Sequence, residues 1–269
     1  MHNPSALEVV RMRHPLKSRL LRVARVVPIS PVLVRVTLTG DLGDFVSASF
    51  DDHVKVFFPS PGDEKPAMPT LGPDGPVYPQ GTGRPVMRDF TPRRFDVEAG
   101  ELDLEFALHE AGPATAWAAQ ARPGQYLGVG GPRGSMVIPS GFDWHLLIGD
   151  ETALPAIQRR LTELPRDKRV AVVVEVANRA ARIELTSEAD LYAIWCYRDE
   201  AGSDNPLLDA VREIVLPSGD GYVWAAGEAS VIRAVRAHLV NERGVDKKRI
   251  RAAAYWRRGA EAAHETIED

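Results

Sequence analysis

A chain of 269 residues is long enough for two domains of ordinary size, and its 44% apolar share can fill a core in each. A formal net charge of −4 gives no footprint for a nucleic acid. With no apolar run of about 18 residues, no membrane-spanning helix is expected. The single cysteine, Cys196, excludes an internal disulfide and an iron–sulfur cluster held by several thiolates, so any electron carrier must be organic.

Residues 1–18 are polar and are expected to form a flexible N-terminus, apart from a turn near Pro15. They contain no hydrophobic segment of the signal-peptide kind, which sets the expectation of a cytoplasmic protein. RLLRVARVVPIS and VLVRVTLTG follow, both rich in Val and Leu. The second alternates Val32, Val34, Val36 and Leu38 with Leu33, Arg35, Thr37 and Thr39, a period of two that predicts strands joined by a turn at Ile29–Pro31. DHVKVFFP continues the pattern, with Val54, Val56 and Phe58 on one face and His53, Lys55 and Phe57 on the other. Residues 59–85 are dense in Pro and Gly without periodicity, which predicts a long, mobile or disordered surface insertion between two strands. An inert loop fits it better than a lid.

Next comes Arg88-Asp89-Phe90-Thr91-Pro92-Arg93. In an extended segment Arg88 and Phe90 share one face and Thr91 takes the other. A cation, a flat ring and a small hydroxyl so spaced suit a flavin nucleotide: the cation meets the diphosphate, the ring lies on the isoalloxazine, and Thr91 reaches the ring edge near N5. The same residues also suit an ordinary strand with an arginine on its solvated side. ELDLEFALH alternates again, and six or so short antiparallel strands with turn signals predict a small barrel. Pro113 suits the first turn of a helix running through Ala121, whose free amides and the Thr115 hydroxyl would attract an anion, with His109 close by. Trp117 fits either that site or the core.

From about residue 141 the texture changes. HLLIG, RVAVVVEVAN, LYAIWCYR, GYVWAAG and RIRAAAYW are short, almost wholly apolar runs of the kind buried on both faces of a sheet. Helical patterns at ETALPAIQRRLTEL, NPLLDAVREIV and EASVIRAVRAHLVNERG lie between some of them, the last stopped by Gly244. A doubly wound parallel sheet is predicted over 141–269, behind a barrel over 19–140. Two strand-to-helix turns stand out, Gly149–Pro155 and Ala226–Ser230, where glycine permits close backbone approach to a ligand. Neither is a G-x-G-x-x-G fingerprint or a P-loop. A flavin barrel followed by a nicotinamide-binding α/β domain is the ferredoxin-reductase-like layout.

The words DDHVKVFFP, RDFTPR, LDLEFALHEAGPATAWA, RPGQYLGVGGPRG, GDETALPAI, WAAGEAS and AAYWRRGAEAAHE together resemble the siderophore-interacting protein family, the flavin-dependent ferric-siderophore reductases. They fall in order within a resemblance that covers the chain from about residue 19 to its end. The resemblance implies non-covalent FAD, NADPH or NADH as donor, and a ferric siderophore as substrate. It places Arg88, Phe90, Thr91 and Arg93 in the flavin motif, with Phe90 where tyrosine is commoner and Pro92 where many members have valine. It places His109, Ala114, Thr115 and Trp117 along the diphosphate. Asp150, Glu151 and Thr152 match the turn near the flavin–nicotinamide contact, and Gly227 and Glu228 match the second turn. The glycine-rich nucleotide motif and the cysteine near the flavin of broader ferredoxin reductases are missing.

The implied chemistry needs a converter, because a nicotinamide gives two electrons and Fe(III) accepts one, and FAD handles both. No side-chain nucleophile, general acid or base is expected, only Thr91 and Thr152 near the flavin N5 or nicotinamide. No resident metal is expected; iron arrives with its chelator. Many ferric siderophores are anionic, so Lys55, Arg133, Arg257 and Arg258 are candidates for substrate binding, each more readily read as a solvated charge or a phosphate contact. Arginines 179 and 182 are candidates for a 2′-phosphate, leaving NADPH against NADH open. A monomer is expected. Two other readings remain: a ferredoxin-reductase-like flavin oxidoreductase with a different acceptor, and a non-catalytic flavin- or siderophore-binding protein.

Overall fold

The computed structural model describes residues 7–72, 75–81, 83–108, 112–259 and 265–267. Two units divide the chain, one over Val9–Ile138 and one containing Pro139–Asp269. Along the first run β1 (Val10–Arg13), β2 (Ser18–Ser30), β3 (Leu33–Thr39), β4 (Val54–Phe57), β5 (Thr70–Gly72), β6 (Gly75–Val77), β7 (Met87–Phe90), β8 (Arg94–Asp96), β9 (Glu101–Ala107), α1 (Pro113–Ala118), β10 (Tyr126–Gly130) and β11 (Gly134–Val137).

Seven of these strands form one antiparallel sheet in the order β7-β4-β10-β2-β3-β9-β8. Laid flat, its edge strands would stand about 29 Å apart at the usual strand spacing. Yet β7 and β8 are the two edges, and only Thr91, Pro92 and Arg93 separate them, a reach of about 15 Å at most. The sheet must therefore curl into a barrel. At the seam the Arg93 amide donates to the Asp103 carbonyl at 3.0 Å, and the Phe90 and Phe106 rings lie 4.4 Å apart between centroids. Inside, Val36, Leu38, Val54, Val56, Leu102 and Leu104 alternate inward and are fully buried. One outward-reading position is also buried: Thr37 donates to the Asp103 carboxylate, its register partner, at 2.6 Å.

Three expectations differ from this structure. Val10–Arg13, in the stretch expected to be flexible, pair antiparallel with Gly134–Val137. All four are exposed, so apolar patterning carried no signal. The pairing is held by polar groups instead: His14 Nε2 meets Ser135 Oγ at 2.7 Å, and Ser135 Oγ donates to Asp52 at 2.6 Å. The 59–85 insertion carries the β5–β6 hairpin and buries Pro66 and Pro69. Strands of three residues are too short to show alternation. The helix expected through Ala121 ends at Ala118 and closes with tighter bonds from Gln120 to Trp117 and Ala121 to Ala118, both at 3.2 Å. Pro123 disfavours a helical conformation at the residue before it.

The second unit contains β12 (Trp144–Asp150), α2 (Leu154–Glu163), β13 (Arg169–Val176), β14 (Asp190–Tyr197), α3 (Pro206–Glu213), β15 (Gly221–Glu228), α4 (Ala229–Ala237), β16 (Ile250–Trp256) and β17 (Glu265–Thr266). Its sheet order is β14-β13-β12-β15-β16-β17, parallel except for β17. Chain order reverses direction between β12 and β15, which makes their carboxyl ends the switch point where ligands of such sheets bind. β12 and β15 are buried at every residue, as their apolar runs predict. Leu207 and Val211 of α3 and Ile232 and Val235 of α4 fill one face. Gly244, at φ +70°, ends the helical stretch after α4 in a conformation that favours glycine. Between β13 and β14 the crossover has no α-helix, only a 3-10 turn at Arg179–Ala181.

Candidate cofactor and substrate site

In the first unit Arg88 stands opposite Val56 and Phe90 opposite Val54 on β4, so both face the barrel side of the edge strand. The Phe90 ring is half-buried against Phe106 and Phe58. The Arg88 guanidinium is also half-buried, and among the described residues its one hydrogen bond goes to the Met87 carbonyl at 2.8 Å. No carboxylate meets it there. Thr91 is 7% exposed, and its hydroxyl has no hydrogen bond among the described residues. Arg93 follows at the seam, half-buried. A half-buried cation without an anion, beside an aromatic ring and an unengaged hydroxyl, fits the donor set a flavin nucleotide asks for.

The helix segment divides differently. His109 lies outside the described residues. Trp117, expected along the diphosphate, is 8% exposed, with its ring centroid 5.7 Å from Phe106 and 5.9 Å from Phe58. It belongs to the barrel core. Thr115 Oγ1 donates to the Ala107 carbonyl at 3.5 Å, and Ala114 packs against the same core.

The outward face of β4 and β7 carries a cleft of about 260 Å³ whose lining includes His53, Lys55, Phe57, Tyr78, Asp89 and Arg133. It brings two of the four substrate candidates together. Lys55 donates to Asp89 at 2.7 Å, so its charge is partly compensated. Arg133 is exposed and has no ion-pair partner among the described residues. Arg257 and Arg258 lie in the other unit. Arg257 shares Glu265 with Arg233, and the Arg258 amide donates to Glu228 at 3.3 Å.

In the second unit, pairing of Gly149 with Ala226 sets the two singled-out turns side by side at the switch point. A Cβ on Gly149 would come within 2.6 Å of the Ala226 carbonyl, and one on Gly227 within 2.6 Å of the Asp150 carboxylate. Three carboxylates there are engaged within the fold. Asp150 accepts from the Thr152 amide at 2.9 Å and hydroxyl at 2.5 Å, from the Glu228 amide at 3.1 Å, and from the Trp256 indole at 2.8 Å. Glu151, 2% exposed, accepts from the Ala177 amide at 2.6 Å and from Arg198. Glu228 caps α4 by accepting from the Ser230 and Val231 amides at 2.7 and 3.1 Å. Burial would raise the Glu228 pKa, but the bonds from Ser230, Val231 and Arg258 outweigh it and hold it below the usual carboxylate range. Burial raises Glu175 above that range against the opposing pull of Arg198. Asp150, Glu151 and Glu228 thus brace the turns from within the fold, and Gly149 and Gly227 are buried positions where a side chain would collide across the two turns. Sequence reasoning missed Trp256 and Arg198 as the partners of this brace, since nothing local marks a contact across 106 residues.

Residues 22–136 match the model of the siderophore-interacting FAD-binding domain, and residues 142–259 match that of the siderophore-interacting protein. The chain belongs to the siderophore-interacting protein family. An NADPH-dependent ferric-chelate reductase of Escherichia coli K12 is 38% identical over 250 residues, covering 91% of this chain and 95% of that protein. The ferric vibriobactin reductase ViuB of Vibrio cholerae is 34% identical over 92% of this chain and 93% of its own. Among solved structures, a siderophore utilization protein from T. fusca superposes with a TM-score of 0.86 at 40% identity, over 95% of this chain and 98% of that one. The ferredoxin reductase of a carbazole 1,9a-dioxygenase reaches a TM-score of 0.64 at 17% identity, over 88% of this chain and 67% of that one, which shows the shared ferredoxin-reductase-like fold.

Proposed function

We propose that this family member is an FAD-dependent reductase that uses NADPH to reduce ferric iron held by a siderophore. Family membership and the two named reductases support the reaction class. The observation that carries the flavin reading is the half-buried Arg88 guanidinium without an anion among the described residues, beside Phe90 and Thr91. Bound FAD would supply the conversion between a two-electron donor and a one-electron acceptor. In this reading Arg88 neutralises the diphosphate, Phe90 offers a ring face, and Thr91 offers a hydroxyl to the flavin edge, with Arg93 adding positive charge at the seam. In this reading the nicotinamide nucleotide meets the two switch-point turns, which Gly149 and Gly227 allow to pack side by side, with Thr152 beside them.

The ferric chelate enters as substrate with its iron. Arg133 and Lys55 attract an anionic chelate to the outer cleft, and they favour reduction because the complex gains one more negative charge as iron accepts an electron. Arg133 leads, since Asp89 already offsets Lys55. Arg257 and Arg258 are weaker candidates: Glu265 offsets the first, and the second shows only a backbone bond to Glu228. The reading takes the protein as a cytoplasmic monomer without a nucleic-acid partner. The net charge of −4 is in keeping with this. Among the described residues no helix is long and apolar enough to cross a membrane.

The test is the visible spectrum of the purified protein before and after anaerobic NADPH, followed by a ferric siderophore. Bleaching of a bound flavin and its recovery on adding the chelate is the expected result. A preparation that stays colourless after soaking with FAD defeats the proposal.

A further inference from the structure

The crossover from β13 to β14 lacks a helix, and the space a helix would fill is a cavity of about 500 Å³ on the second unit. Arg179, Arg182, Glu184, Ala193 and Trp195 are among its lining residues. β13 lies directly beside β12, so the cavity is next along the sheet from the switch point. In doubly wound sheets the adenosine half of a dinucleotide extends that way, and the residues after the second strand meet its ribose. An acidic side chain there accepts from a 2′-hydroxyl, and an arginine receives a 2′-phosphate. Here that position is Asn178, whose side-chain oxygen caps the 3-10 turn by accepting from the Ala181 amide at 3.1 Å. Glu175, at the end of β13, is bonded by Arg198 at 3.2 Å.

The two arginines are not equivalent. Arg179 donates to both oxygens of Glu200 at 2.6 and 2.8 Å and lies 4.8 Å over the Tyr197 ring, so its charge is matched. Arg182 is exposed and lies 5.7 Å over the Trp195 ring, and its guanidinium has no hydrogen-bond or ion-pair partner among the described residues. A guanidinium steadied by an aromatic face keeps its donor fork for a phosphate. Glu184 is the one opposing charge among the lining residues, and it is exposed.

Building on the reductase reading, we propose that this cavity receives the adenosine 2′-phosphate end of NADPH, with Trp195 as the platform and Arg182, rather than Arg179, as the phosphate ligand. Arg182 is then the residue that selects NADPH over NADH.

Calorimetry on the purified full chain supplied with FAD tests this with 2′,5′-ADP and 5′-ADP as probes. The wild type should bind 2′,5′-ADP roughly tenfold more tightly than 5′-ADP, the size of one charge-assisted contact. Arg182→Ala should erase that difference, Arg182→Lys should keep part of it, and Arg179→Ala should keep most of it. Equal binding of the two probes by the wild type, binding of neither, or a difference that survives Arg182→Ala overturns the proposal. So does loss of the difference in Arg179→Ala alone. Flavin content and chelate reduction with saturating NADH, read on the same preparations, report separately on the reductase reading: a yellow, active protein that ignores the 2′-phosphate sinks only the inference.

Discussion

The Trp256 indole donates to the Asp150 carboxylate at 2.8 Å and so ties the end of β16 to the end of β12, with β15 between them. Asp150 also holds the Glu228 amide at the end of β15, so one carboxylate links the carboxyl ends of three parallel strands. Removing it leaves several buried donors unpaired in one step. Asp150→Ala should destabilise the protein by about 2–4 kcal/mol. Urea unfolding followed by tryptophan fluorescence measures it, and a loss below about 0.5 kcal/mol would show the brace to be ornamental.

Arg88 offers the opposite case, a cation whose partner the described residues do not supply. Arg88→Ala should weaken FAD binding by roughly tenfold or more, the scale of a charge-assisted contact. The ratio of flavin absorbance to protein absorbance after gel filtration reads it directly. Full retention of the chromophore would remove Arg88 from the flavin site.

The outer cleft makes a kinetic prediction. Arg133→Ala should raise KM for an anionic ferric chelate several-fold and also lower kcat, because the cation both attracts the chelate and offsets the negative charge gained on reduction. Rising salt should blunt the difference between variant and wild type, since exposed charges are screened. An unchanged KM would place the chelate elsewhere.

Thr37 and Asp103 are a buried pair on the barrel wall. Thr37→Val preserves shape but strips Asp103 of a donor, and should cost about 1–3 kcal/mol in chemical unfolding. Serine at the same position keeps the hydroxyl and should recover most of the loss.

His145 sets a pH dependence. Burial foremost, then the positive charges of Arg160 and Lys168, pushes its imidazole from the ordinary 6.5 down to about 3. The unfolded chain therefore takes up a proton at pH values where the fold does not, and stability drains away as pH falls from 6.5 toward 3. The expected slope from this one group is about 1.4 kcal/mol per pH unit at most. His145→Phe should flatten the stability profile between pH 6.5 and 5, above the range where carboxylates dominate. An unaltered profile would mean that His145 is protonated in the fold.

Strand and helix patterns were legible because burial on one face leaves a period of two or 3.6 in the chain, as at Val54–Phe58 and Leu207–Val211. The proposed flavin motif is visible as residue types, since Arg88, Phe90 and Thr91 are neighbours. The roles of Trp117 and the switch-point carboxylates are not. Trp117 reads in the sequence as a ligand contact or as core, and only the fold shows it packed against Phe58 and Phe106. β1 was hidden because an exposed strand held by polar groups leaves no apolar trace.

By itself, then, the order of residues determined a barrel followed by a doubly wound sheet, an organic redox carrier, and the two strand-to-helix turns proposed to meet a nucleotide. Each of these depends on neighbours within a few residues. Tertiary structure alone decided which groups remain available. It closed the barrel through the three residues between β7 and β8, matched Arg179 to Glu200 while leaving Arg182 open, and turned Asp150 inward to Trp256. A side chain's charge is written in the sequence, but whether that charge is already satisfied depends on partners brought close only by folding.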